Sequence, residues 1–357
     1  MAFELGILHF GELTPDPSTG RPPTPGKRIR ELIEQAKVAD EVGLDVFSVG
    51  EHHRGDFAVS SPAVVLAAMA ENTRSIKLSS AVTVLSSDDP VRVFQQFATL
   101  DLISGGRAEI IAGRGSYTES FPLFGYDLGD YDELFTDKLD LLLKLRAENP
   151  VTWQGTTRPA LHQADVGPQP EREIPVWVAV GGSPASVVRA AQLNLPLALA
   201  IIGGSYRQFA PYVDLYREAA AKFGHDAGAL KLSVSSPGFV AATHREAIEI
   251  SHPYFKSGWL ANHHQRGRGV PMPLGAYEAQ STPAGAFFLG SPQEVTDKII
   301  GQWELFHHDR ITIQLGFGDV PQKQMLTAIE LLGTEVAPVV RKEIASRQES
   351  QAKAGYR

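Results

Sequence analysis

The stretch Gly50-Glu51-His52-His53-Arg54 sets a carboxylate beside two imidazoles. Such groups can hold a metal ion, or they can pass protons near neutral pH. Two further pairs, His263-His264 and His307-His308, lie downstream. If an extended strand runs through His52 and His53, successive side chains point to opposite faces, and only one imidazole reaches a shared site. The chain has no His-Glu-x-x-His helix and no Asp-rich loop. Metal ligation stays a rival, but the expected role is proton handling, with no metal. Glu51 and one imidazole would then support the other. His263-His264 falls in "NHHQRGRG", which reads as a lid or a solvent-facing segment. His307-His308 precedes Asp309 at a helix end, where a partly cationic group suits the negative end of the dipole.

A second signal is "VAVGGSPASVVRAA". An apolar run enters Gly181-Gly182, then Ser183 at an N-cap and Pro184 at the first helical position. Glycines let a ligand approach the backbone, and the first helical turn presents unpaired N–H groups and the positive dipole end. The turn is either a phosphate cradle or an ordinary tight corner. Arg114, between Gly113 and Gly115, could reach the same anion. Its alternative is an ion pair with a neighbour such as Glu119. In "LSSAVTVLSSDDPVR" the small residues either leave room for something flat or simply fill a core.

These groups need a scaffold. The chain has 357 residues, 43% hydrophobic, which is enough for one large core. Cysteine is absent, which excludes disulfides, thiolate metal sites and cysteine nucleophiles. A net charge of -8 without a basic block argues against nucleic acid. No signal-peptide pattern opens the chain, and no apolar run reaches the ~20 residues of a membrane span. The expectation is a soluble cytoplasmic protein.

Short apolar runs alternate with amphipathic ones. The runs are "FELGILHF", "DVFSVG", "IKLSSAVTVL", "AEIIAG", "IPVWVAVGG", "LPLALAII", "ALKLSVSSPGFVA" and "DRITIQLGFG". Helical patterns separate them, the first with Ile29, Ile33, Ala36 and Val38 or Ala39 at the helical period and Gly43 at its end. Residues 149–173 read as a loop or small hairpin. Eight strand–helix units predict an α/β fold, a (β/α)8 TIM barrel, over a doubly wound sheet. A long insertion, or lid, falls between strands seven and eight at about 243–289. The domain is 1–345, and residues 346–357 form a polar tail. The site is expected at the C-terminal ends of the strands. His9, Gly316, Phe317 and Gly318 also reach that mouth, and Phe10, Phe57, Phe121 and Phe317 make it partly apolar.

With "SVGEHHR", "AVTVLSSDDPVRVFQQFATLDLISGGRAEIIAGRGSYTESFPLFG", "VWVAVGGSPASVVRAA" and "DRITIQLGFG" in this order, the chain resembles the bacterial luciferase-like family of flavin-dependent oxidoreductases. The resemblance covers nearly the whole length and is most specific from Ala81 to Gly125. It implies a (β/α)8 barrel binding FMN, or in one branch F420. The phosphate would lie against Arg114 and Gly181-Gly182-Ser183, and the ring near Ala81, Val82 and Thr83. A non-prolyl cis peptide is implied at Ala81–Val82. His52 corresponds to a catalytic acid/base, with His53 beside it. Where luciferase has an acidic residue and a serine at the phosphate turn, this chain has two glycines. The activity implied is an enzyme, a monooxygenase using reduced FMN and O2 on a small organic substrate. A separate NAD(P)H:flavin reductase would supply reduced flavin. Hydride transfer by FMN or F420 in a reductase or dehydrogenase is the alternative, and a non-catalytic flavin-binding protein the second. A homodimer through the helices flanking strands two and three is also implied.

Overall fold

The computed structural model describes residues 2–264, 272–315 and 317–355. Its elements run β1 (Glu4–His9), α1 (Pro25–Glu41), β2 (Val46–Val49), α2 (Pro62–Ala70), β3 (Lys77–Ser80) and β4 (Thr83–Val84). Next come α3 (Pro90–Ser104), β5 (Ala108–Gly113), α4 (Ser120–Phe124), α5 (Tyr131–Ala147), β6 (Val151–Trp153) and β7 (Leu161–Ala164). Then follow β8 (Val176–Val180), α6 (Pro184–Gln192), β9 (Leu197–Ala200), α7 (Ala210–Lys222) and β10 (Leu232–Val240). The chain ends with α8 (His244–His264), α9 (Leu274–Ser281), β11 (Phe288–Gly290), α10 (Pro292–Phe306), β12 (Arg310–Leu315), α11 (Gln322–Leu331) and α12 (Ala337–Gly355).

Parallel pairing runs β1–β2–β3–β5–β8–β9–β10–β12, and β12 returns to β1 with Leu5 opposite Ile311. The sheet is therefore a closed eight-stranded barrel inside a ring of helices, the (β/α)8 fold. Its strands are buried on both faces, which is why "VWVAV" and "AEIIAG" read as continuous apolar runs. The third predicted strand is split into β3 and β4 at the Ala81–Val82 peptide, which is cis. The stretch 149–173 contains the antiparallel β6–β7 hairpin.

Three expectations change. The long insertion contains a further strand, β11, which extends the sheet beside the end of β10 with Gly238 opposite Phe288. A three-residue strand is too short for its period to show in sequence. The inner stripe of α1 is Leu32, Ala36 and Ala39 with Arg28 and Gln35; Ile33 packs partly buried at its margin, and Ile29 falls outside it. The shift follows from Arg28, whose buried guanidinium pairs with Asp319 and Glu31 and donates from Nε to the Glu12 carbonyl at 3.2 Å. Residues 346–355 continue α12 rather than forming a separate tail.

The N-terminal end of the barrel is closed by charge. Arg310 donates to both oxygens of Glu109 (2.6 and 3.1 Å) and to Glu4 (2.6 Å), Lys77 also reaches Glu4, and the guanidinium lies 4.6 Å from the Trp177 ring centroid. Above this plug Leu8, Ala81, Ile111 and Trp177 pack as an inner apolar layer. Removing one partner leaves buried carboxylates uncompensated. Arg310→Met is expected to cost about 3–5 kcal/mol of unfolding free energy. Urea unfolding checks this, and a shift near zero would mean that the plug is dispensable.

Candidate active site

Above the apolar layer a cavity of about 670 Å³ opens at the C-terminal mouth. That volume lies in the usual range for a bound organic ligand. Every barrel strand or its following loop contributes to the lining, including His52, Ala81, Arg114, Gly182, Ala200, Ser235 and Gln314. Of the sequence candidates, His52, His53, Ala81, Val82, Arg114, Gly181, Gly182 and Ser183 all line it. Thr83 does not. Its hydroxyl turns away to donate to the Ser80 hydroxyl at 2.9 Å. Phe121 is also withdrawn, fully buried and stacked on Tyr131 at 5.5 Å.

Strand alternation does not govern the imidazoles, because β2 ends at Val49. Gly50 follows, and its missing side chain is required: a Cβ there would lie 2.2 Å from the Phe10 ring and 2.6 Å from the Ala81 carbonyl. Both His52 and His53 then reach the cavity wall. His52 has 9% of its surface exposed, among the rings of Phe57 (4.3 Å), Tyr117 (4.4 Å) and Phe10 (5.2 Å). Its Nδ1 lies 3.1 Å from Glu119 Oε1. A carboxylate only accepts, so Nδ1 carries the proton and Nε2 keeps its lone pair. Burial would raise the Glu119 pKa, but hydrogen bonds from His52 and the backbone, and the charge of His52 when that ring is protonated, hold it below the ordinary value. The support of His52 is therefore Glu119, and not His53 or Glu51.

Glu51 instead ties β2 to β4, accepting the Val84 N–H at 2.8 Å. The same oxygen lies 3.7 Å from His53 Nε2. The neighbouring Glu51 carboxylate raises the His53 pKa, burial opposes the rise, and the charges of Glu119 and Asp88 add to it. A raised histidine pKa stabilises the fold fully below the unfolded value of ~6.5, and the gain is lost as pH rises through the folded value. In Glu51→Gln the His53 titration followed by NMR is expected to move down toward ~6.5. An unchanged midpoint would remove Glu51 as the cause.

Just after β5, Arg114 pairs with the exposed Asp132 and lies 5.0 Å from the Tyr131 ring centroid, not against Glu119. Arg189 of α6 stands near. Burial, then the charge of Arg114, lowers its pKa, and its Nη1 is buried without a hydrogen-bond partner. Asp132 pairs with Arg114, and its charge also acts on Arg189, in the last turn of α6. Gly182 sits at φ 116°, and a Cβ on Gly181 would meet nothing within 4 Å. Ser183 starts the helix without using its hydroxyl as a cap. Arg114, Gly181, Gly182 and Ser183 thus line the same cavity, with a cation, open backbone and a helix N-terminus among them.

The remaining histidines stand apart. His308 is 1% exposed and burial drives its pKa down to about 3, so it is neutral rather than cationic; His307 caps α10 in the left-handed region with a lowered pKa from burial. The side chains of His263 and His264, the patch after them and Gly316 lie outside the described residues. Among the described residues no cluster of three or more His, Asp or Glu is placed to hold a metal ion, and no helix is long and apolar enough to cross a membrane. Sequence reasoning missed Glu119 as the partner of His52, Arg189, and the aromatic wall from α8. The signal the sequence offers is position after a strand, which does not say which group Glu119 meets.

The family model for luciferase-like monooxygenases matches residues 3–306. The alkanal monooxygenase alpha chain of the Kryptophanaron alfredi symbiont is 29% identical over 202 residues, 56% of this chain and 56% of that protein. The oxygenase component of the flavin-dependent trigonelline monooxygenase of Acinetobacter baylyi is 22% identical, over 91% of this chain and 94% of its own. Among solved structures, the oxygenating constituent of 3,6-diketocamphane monooxygenase from Pseudomonas putida, in complex with FMN, superposes with a TM-score of 0.75 at 21% identity. That alignment covers 95% of this chain and 99% of the other.

Proposed function

The chain belongs to the luciferase-like monooxygenase family, and from that premise we propose that it is a flavin-dependent monooxygenase. It takes reduced FMN and O2 and oxidises a small organic substrate. A separate NAD(P)H:flavin reductase supplies the reduced flavin, a reading supported by the relative named as an oxygenase component. The observation that carries the proposal is the polarity of one cavity, with an anion site at Arg114 and the Gly181-Gly182 turn, and a carboxylate-oriented imidazole elsewhere on its wall.

The residues present fit the cofactor. Arg114, the backbone N–H groups after Gly182 and the Ser183 hydroxyl would hold a phosphate. Ala81, Val82 and Gly113 offer a low wall for a flat ring, and a Cβ at Gly113 would stand 2.6 Å from Val82. When bound and reduced, the flavin supplies the electrons for oxygen activation, with one oxygen atom going to the substrate and the other to water. The chain's own part is different. Apolar lining keeps water from the reacting centre. Glu119 fixes the His52 ring, so that Nε2 can take a proton from the cavity and return it.

Anaerobic photoreduction of the FMN-loaded protein, followed by air, tests the proposal. The expected result is a slowly decaying absorbance that belongs to neither oxidised nor reduced flavin. Its absence together with rapid NAD(P)H oxidation would point to a hydride-transferring reductase instead.

A further inference from the structure

One side of the cavity is polar and uncharged. Ser233 and Ser235 of β10 and Thr312 and Gln314 of β12 all line it. Strand alternation sets them on the inner face with Arg310, because Ser233 stands opposite Arg310 and Ser235 opposite Thr312. Ser233, Thr312 and Gln314 are 2%, 4% and 6% exposed. Their hydroxyls and carboxamide, and the Ser235 hydroxyl, make no side-chain hydrogen bond among the described residues. They differ from the Ser48 and Ser236 hydroxyls, which are sealed in the barrel wall; these four open onto the cavity.

Their neighbours cannot satisfy them. Across the sheet Ser233 meets Ala198, Ser235 meets Ala200, Thr312 meets Gly6, and Gln314 meets Leu8 and Pro237. None of those side chains carries a donor or an acceptor. In the plug, Arg310, Glu109 and Glu4 are already joined to one another. The charged groups of the mouth lie in the loops after β1, β2 and β5. In the closed ring of strands, β10 and β12 stand half-way round from β3 and β5. The polar facet therefore faces the wall of Ala81, Val82 and Gly113 across the barrel. A flat ring on that wall leaves Gln314 and its neighbours to a second ligand.

A buried polar group is costly unless hydrogen-bonded, and a buried charge more so unless paired. Gln314 offers a donor and an acceptor in one plane, and each hydroxyl can act as either. A hydrocarbon would leave them all unpaired. A ketone brings no N–H for the Gln314 carbonyl. A carboxylate or an ammonium would be buried there without an opposite charge. We infer that the substrate carries a neutral carboxamide or lactam on an apolar body, with its C=O and N–H against Gln314 and the Ser235 and Thr312 hydroxyls beside them. This inference rests on the flavin-enzyme reading and names the substrate class of that site. The pyrimidine edge of a flavin carries the same alternation of C=O and N–H, so the two occupants must be told apart.

The test is titration calorimetry of the FMN-treated protein with matched pairs, benzamide against acetophenone and δ-valerolactam against cyclohexanone. Benzoate is the anionic control. Each amide is expected to bind about ten-fold or more tightly than its ketone, because the ketone leaves a buried carbonyl unpaired. Gln314→Leu is expected to abolish that preference while ketone binding persists. The wild-type amide-to-ketone ratio alone decides the matter if the variant does not fold. Ketones equal to amides, benzoate the tightest, or no saturable amide binding would overturn the inference. So would an amide preference that is present in the flavin-free protein and vanishes on FMN loading, which would give the facet to the flavin edge. Quenching of FMN fluorescence in the same samples reports the cofactor separately. Amide preference without FMN binding would sink the flavin reading alone, and FMN binding without amide preference would sink this one alone.

Discussion

His52→Ala is expected to lower turnover by about 100-fold or more while leaving FMN affinity nearly intact. The size follows from the usual contribution of a positioned acid/base. The split follows from geometry. His52 lies among Phe10, Phe57 and Tyr117, and its Nδ1 is bound to Glu119 at 3.1 Å. The residues proposed to hold the phosphate follow β5 and β8, on other strands of the barrel. Steady-state kinetics alongside FMN titration separates the two effects. A large loss of flavin binding with unchanged chemistry would make His52 a packing residue. Glu119→Gln should act in the same direction but less, since an amide can still accept from Nδ1 while losing the charge that favours the protonated ring. The pH profile of turnover should shift in Glu119→Gln, a change that simple loss of packing would not produce.

The barrel was legible because parallel strands buried on both faces leave continuous apolar runs. "VWVAV" became β8 and "AEIIAG" became β5 for that reason. Where burial was not apolar, the pattern misled. Arg28 occupies the inner stripe of α1 in place of its neighbour Ile29. β11 is short enough that no period could mark it. The candidate residues were legible by their position after strands, since that rule needs only order along the chain. Their pairings were not. His52 and Glu119 are 67 residues apart, and only the closed barrel brings the loops after β2 and β5 together. The two-imidazole argument failed at one point, the end of β2 at Val49, three residues before His52. His308 illustrates the converse error. A helix C-terminus favours a cation, but complete burial outweighs the dipole and leaves a neutral ring.

Arg114→Ala is expected to weaken FMN by about 10- to 100-fold and riboflavin by much less, because the two ligands differ only in the phosphate. Among the described residues Arg114 has a single carboxylate partner, Asp132, which is 72% exposed and so gives little net stability. An arriving phosphate can replace or join it, since a guanidinium has five N–H donors. Arg189 nearby adds to the local positive charge and makes an anion more welcome still. Arg114→Lys should recover part of the affinity, restoring the charge but not the two-pronged geometry. The measurement is fluorescence titration of both flavins into each variant at two salt concentrations, and the advantage of FMN over riboflavin should shrink as salt rises. An equal loss for both flavins would mean something else. Tyr131 lies under Arg114 and donates its hydroxyl to the Gly115 carbonyl at 2.7 Å, so the arginine would then be holding the loop after β5 in shape. The FMN-to-riboflavin ratio separates those two roles, because only contact with the phosphate makes it collapse.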